Sequence, residues 1–154
     1  MSDTNSIVIF GVAMFLLLVL SLLIQAWRTR RSPMGKVVGI ASSVRHNMKL
    51  CDNFSYDRSI GRFKTAAWDK HKGAVVFLPE GLRAELAGVF GEITEINERI
   101  DAARKYSSDS YMASIDVSKL KGPLASCREK LQAWVYENMN NPEYLPKRRS
   151  LFRW

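Results

Sequence analysis

Apolar residues follow two patterns along this chain: one unbroken run near its start, then several stripes at helical spacing. The run covers residues 7–27, IVIFGVAMFLLLVLSLLIQAW, and carries no charged side chain. At about 1.5 Å of helical rise per residue it spans roughly 30 Å, the hydrocarbon thickness of a bilayer, so it predicts a single transmembrane helix. A cleaved signal peptide would need a positive leading segment and a shorter apolar core. Here Asp3 is the only charge before the run, while Trp27 and three arginines fill the cleavage zone. The expectation is therefore a permanent signal anchor. Its flanks set a direction, because no Lys or Arg precedes it and Arg28, Arg30, Arg31 and Lys36 follow. Positive charge on the exit side predicts a short N-terminus outside and a cytoplasmic C-terminal domain.

The clearest stripe lies in residues 79–106. Leu82, Leu86, Val89, Ile93, Ile96, Ile100 and Ala103 alternate by four and three, with Phe90 widening the seam. Glu85, Glu92, Glu95, Glu98 and Arg99 fall elsewhere, which predicts an amphipathic helix. Pro79 suits its first turn, and Glu80 the positive end of its dipole. A second helix is predicted over residues 118–139 from Leu120, Leu124, Cys127, Leu131 and Trp134, with Val135 beside them. Gly122-Pro123 leaves two starts open, a cap at Ser118 or a first turn holding Pro123. Asn140, Asn141 and Pro142 end it. The third helix covers residues 34–56 through Val37, Ala41, Val44, Met48 and Cys51, extended by Phe54. Gly35 and Gly39 weaken its beginning, and Ser32-Pro33 predicts a break before it.

Two linkers carry less pattern. Residues 57–78 hold a short helical stretch, Phe63 to Lys70, followed by VVFL, which suits a strand but has none to pair with. Residues 107–117 read as a connector whose Tyr111, Met112 and Ile115 pack on the bundle. Three amphipathic helices can bury their seams against one another. The predicted fold is all-α, a single N-terminal transmembrane helix followed by a small antiparallel cytoplasmic bundle of about three helices. Its divisions are a short extracytoplasmic N-terminus at 1–6, the transmembrane helix at 7–27 and a basic juxtamembrane linker at 28–33. The bundle then occupies 34–139, and a basic aromatic tail 140–154.

Charge adds a possible partner to this picture. The chain has 23 Lys and Arg against 15 Asp and Glu, a formal net charge of +8. Residues 28–73 hold eleven basic and three acidic side chains, whereas residues 74–106 are net acidic. In the tail, Lys147, Arg148, Arg149 and Arg153 stand beside Leu151, Phe152 and Trp154. Cations next to aromatic rings suit anionic lipid headgroups, so Trp27, Arg28, Arg30, Arg31, Lys36, Lys147, Arg148, Arg149, Phe152, Arg153 and Trp154 are the candidate membrane-interface residues. The plainer reading of the tail is a solvated basic end. No zinc-finger, RNP or KH pattern supports nucleic acid. Phe63, Trp68 and Phe77 flank a basic patch of Arg62, Lys64, Lys70 and Lys72, and ring packing beside hydrated lysines accounts for it.

Catalytic motifs are absent from the sequence. There is no GxSxG elbow, no GxxxxGK[ST] loop and no GxGxxG turn. His46, His71, Cys51 and Cys127 would complete a four-ligand metal site only if distant segments converged, and their spacing matches no ligand pattern. The two cysteines form no CxxC pair and read as buried free thiols. No metal or cofactor is expected. Asn53-Phe54-Ser55 matches a glycosylation sequon, which is idle in a cytoplasmic domain. The expected function is a non-enzymatic membrane-anchored adaptor, scaffold or accessory subunit acting through a protein partner or self-association. A module binding anionic lipid is the alternative, and an enzyme or small-molecule binder ranks third.

Overall fold

Ser32 and Pro33 together explain where the first long helix begins. In the computed structural model, which describes residues 12, 14–24, 32–56 and 59–146, the Ser32 hydroxyl accepts from the Gly35 N–H at 3.0 Å. Pro33 takes the first helical position. It has no N–H to leave unsatisfied there, and its ring disfavours helical geometry at Ser32. The described residues form six helices: α1 over residues 14–24, α2 Pro33–Asp52, α3 Ala66–His71, α4 Glu80–Lys105, α5 Asp109–Ala113 and α6 Ser118–Asn138. A single 3-10 turn, Lys72–Ala74, follows α3. No strand occurs among the described residues. Where VVFL suited one, the Leu78 N–H instead closes a turn onto the Val75 carbonyl at 3.0 Å, burying Val75 and Leu78 and exposing Val76.

α6 is the shared wall of the bundle, packing on both α2 and α4. It runs antiparallel to α2. The Met34 N–H donates to the Tyr144 carbonyl at one end (3.1 Å), and Lys121 meets Asp52 at the other (3.3 Å). It is antiparallel to α4 as well, since Phe77, just before α4, lies 5.5 Å from Trp134 near the close of α6. Tyr144 completes a three-ring cluster with these two. The buried seam of α6 is Leu120, Leu124, Cys127, Leu131 and Trp134, meeting Leu82, Leu86, Val89, Phe90, Ile93, Ile96 and Ile100 of α4 in one core. α6 begins at Ser118 and runs through Pro123, with the Asp116 carboxylate accepting from the Ser118 N–H at 2.9 Å. α4 ends in a left-handed turn at Ser107, φ 50°, whose neighbour Ser108 donates back to the Ala103 carbonyl. Such a turn closes the last carbonyls of a helix.

Because α2 and α4 point the same way, the chain must cross between them, and that crossing is held by side-chain amides. Asn97 of α4 accepts from the Phe63 N–H at 2.8 Å and donates to the Phe63 carbonyl at 3.0 Å. Asn47 of α2 does the same to Lys64, at 2.8 and 2.9 Å. Successive residues are thus gripped from opposite helices, each amide standing in for the next strand of a sheet. Arg104 also donates to the Ile60 carbonyl. Both asparagines are buried, and every side-chain bonding group they bring inward is matched by backbone, as burial demands.

The expected membrane anchor is not supported. Among the described residues no helix is long and apolar enough to cross a membrane. Within the apolar run, residues 14–24 form the described helix α1. Residues 7–11, 13 and 25–27 of that run lie outside the described residues, as do the N-terminus at 1–6 and the linker at 28–31. The assignment of a signal anchor and of a single-pass protein is withdrawn with it. So are the external N-terminus and the cytoplasmic domain, which were deduced from an anchor. The side chains of α1 are exposed and take no part in the core.

Candidate functional site

The Asn47 clamp that fixes the crossing also sets Lys64 beside α2, and this begins a basic face. Trp68 continues it: the indole is buried and stacked on Phe90 of α4, ring centroids 5.4 Å apart and planes 7° from parallel. That stack ties α3 to α4 while α3 also packs on α2, and Lys70 and Lys72 stay exposed. Two imidazoles mark the length of the face. His46 is held below the ordinary imidazole value by partial desolvation and then by the Lys64 and Lys49 ammonium groups. His71 is lowered in the same way, by desolvation and then by Lys70 and Lys36. Each histidine therefore lies near two lysines. Lys36 and His46 stand ten residues apart on α2, about 15 Å along the helix axis.

Few carboxylates offset this charge. In the described part of residues 32–74 the acids are Asp52 and Asp69, and each already pairs with a lysine, Lys121 at 3.3 Å and Lys72 at 3.5 Å. Arg62 pairs with Asp101 of α4 at 3.3 Å. Lys36, Arg45, Lys49, Lys64 and Lys70 form no ion pair among the described residues. The rings that flank the patch pack inward, beside exposed lysines. Phe63 and Trp68 are buried and Phe77 is partly so.

Of the candidate membrane-interface residues, Lys36 alone is described, half-buried on the first turns of α2. Trp27, Arg28, Arg30, Arg31, Lys147, Arg148, Arg149, Phe152, Arg153 and Trp154 lie outside the described residues. The Met34–Tyr144 hydrogen bond nevertheless means that the chain enters and leaves the bundle at one end.

The two thiols are free and buried in the core. Burial first, then the Asp52 carboxylate, pushes Cys51 from 9.0 up to about 11. Burial and the Glu85 carboxylate push Cys127 up to about 12. A thiol nucleophile reacts as the thiolate, so neither is activated near neutral pH. A raised folded pKa stabilises the fold below the unfolded value and is lost as pH climbs toward the folded one. Stability should therefore be independent of these groups below about pH 9 and fall above it. Ellman's reagent at pH 8 should label neither cysteine in the native protein on the minute scale and both in urea; prompt native labelling would contradict this burial. Among the described residues no group of three or more His, Cys, Asp or Glu could hold a metal ion, and His46, His71, Cys51 and Cys127 do not converge.

No family model, curated protein or solved structure matches the chain.

Proposed function

We propose that this chain is a helical interaction module, a non-enzymatic adaptor or accessory subunit that works through protein contacts of residues 32–146. The observation that supports it is the imbalance of its surface. Among the described residues, five cations of the α2–α3 side form no ion pair, and neither do Glu92, Glu95 and Glu98, which stand exposed on α4. Unmatched charge of both signs, held on rigid helices, steers encounter and fixes register between macromolecules. The polar groups inside the bundle serve its architecture, since the Asn47 and Asn97 amides are spent on the crossing. The test is site-specific photo-cross-linking in the native cell, with a benzophenone side chain placed at Lys64, Lys70 or Glu95. Discrete higher-mass adducts are expected at one or more of these positions. A chain that remains strictly monomeric and yields no adduct at any of them would overturn the reading.

A further inference from the structure

We propose that the basic face of α2 and α3 docks against the exposed carboxylates of α4 in a second copy of this chain. The inference rests on the interaction reading and names its partner. Charge complementarity is the first ground for it. Glu92, Glu95 and Glu98 recur every three residues along about 9 Å of α4, exposed and forming no ion pair among the described residues. Lys36 of α2, Lys70 of α3 and Lys64, which Asn47 holds against α2, carry the opposite charge. Among the described residues the two sets form no ion pair with each other, and Arg62 of the crossing segment is taken by Asp101. A second copy offers each face the opposite charge.

The chemistry of the face also bears on other polyanions. Single-stranded nucleic acid binds where bases can stack on exposed rings, and the rings flanking these lysines, Phe63 and Trp68, are buried. A contact between two different faces is heterologous. Each added copy leaves one basic and one acidic face open, so the assembly either grows or closes as a ring.

Sedimentation velocity of the full chain tests this. At about 50 mM salt, association should increase with protein concentration, and it should weaken about tenfold or more at about 500 mM. Association through the exposed apolar side chains of α1 would not weaken with salt, so the sign of the response separates the two. Lys64→Glu/Lys70→Glu and Glu95→Lys/Glu98→Lys should each be monomeric alone. An equimolar mixture of the two double variants should associate again, because it restores one native and one charge-reversed contact. All four positions are exposed, so unchanged circular dichroism and thermal midpoint confirm that the variants fold. A wild-type chain that stays monomeric at low salt, or a mixture that fails to reassociate, overturns the proposal. A monomeric chain that still gives an adduct with a foreign protein at Lys64 would remove this partner and leave the interaction reading standing. The absence of any adduct would remove both.

Discussion

Phe90→Ala is expected to cost about 3–5 kcal/mol, the range for emptying a buried aromatic site. For a domain of this size that lowers the thermal midpoint by something on the order of 10–20 °C. Phe90 is fully enclosed, and its ring is the surface on which Trp68 lies. Truncation leaves a cavity in α4 and also takes away the platform that seats α3. The loss should accordingly appear twice, as a lower midpoint by circular dichroism and as a red-shifted tryptophan emission below that midpoint, when Trp68 meets water. A midpoint within about 3 °C of wild type would mean that the stack does not bear on the core.

Asn97→Leu should destabilise the fold by about 2–5 kcal/mol although the replacement is apolar and of similar size. The Phe63 N–H and carbonyl would both stay buried with no partner, at about 1–3 kcal/mol each. Asn97→Asp separates this from packing. One carboxylate oxygen can still accept from the Phe63 N–H, but the other would face the Phe63 carbonyl, and burial with that repulsion raises the folded pKa of the new acid. A raised pKa contributes stability that is present at low pH and lost as pH rises. The urea midpoint of Asn97→Asp should therefore approach that of wild type near pH 4 and fall well below it at pH 8. Equal deficits at the two pH values would show that the amide does not grip the crossing.

These two residues show where the sequence is legible. In α4 the seam from Leu82 to Ala103 can be read directly, because the helix is long and one-sided and each apolar position is buried where the spacing puts it. In α2 the spacing misleads by one residue. Val37, Ala41, Val44, Met48 and Cys51 fit the period, yet the enclosed set is Val37, Ile40, Ser43, Val44, Asn47 and Cys51, with Ala41 and Met48 only partly covered. A polar residue in the seam hides the true register, and its reason lies 17 residues away at Lys64. The partner of Asn97 is 34 residues away. No local period reports such pairs; an asparagine standing among buried-seam positions is the one signal available. The apolar run misleads in another way, since its composition suggests a span while no helix among the described residues is long and apolar enough to cross a membrane.

Charge was legible as a total and not as a surface. The excess in residues 28–73 is plain from composition, but Arg62 and Lys72 are neutralised by acids, one of them on a distant helix. Which cations remain unmatched depends on helix packing. The same holds for α4, where Glu85 is occupied by Lys130 at 2.6 Å and the three glutamates beyond it are not. The interface residues read from the sequence lie almost wholly outside the described residues, and the basic face depends on Asn47 holding Lys64 against α2.

The bond from Met34 to Tyr144 makes the bundle a closed circuit. A domain whose entry and exit coincide can be opened elsewhere with little penalty, so the turn at Ser107, at the far pole, is the natural place to cut and permute it. The same geometry gives the bundle two unlike poles: one where Met34 meets Tyr144, and an opposite one where α4 turns and Lys121 meets Asp52.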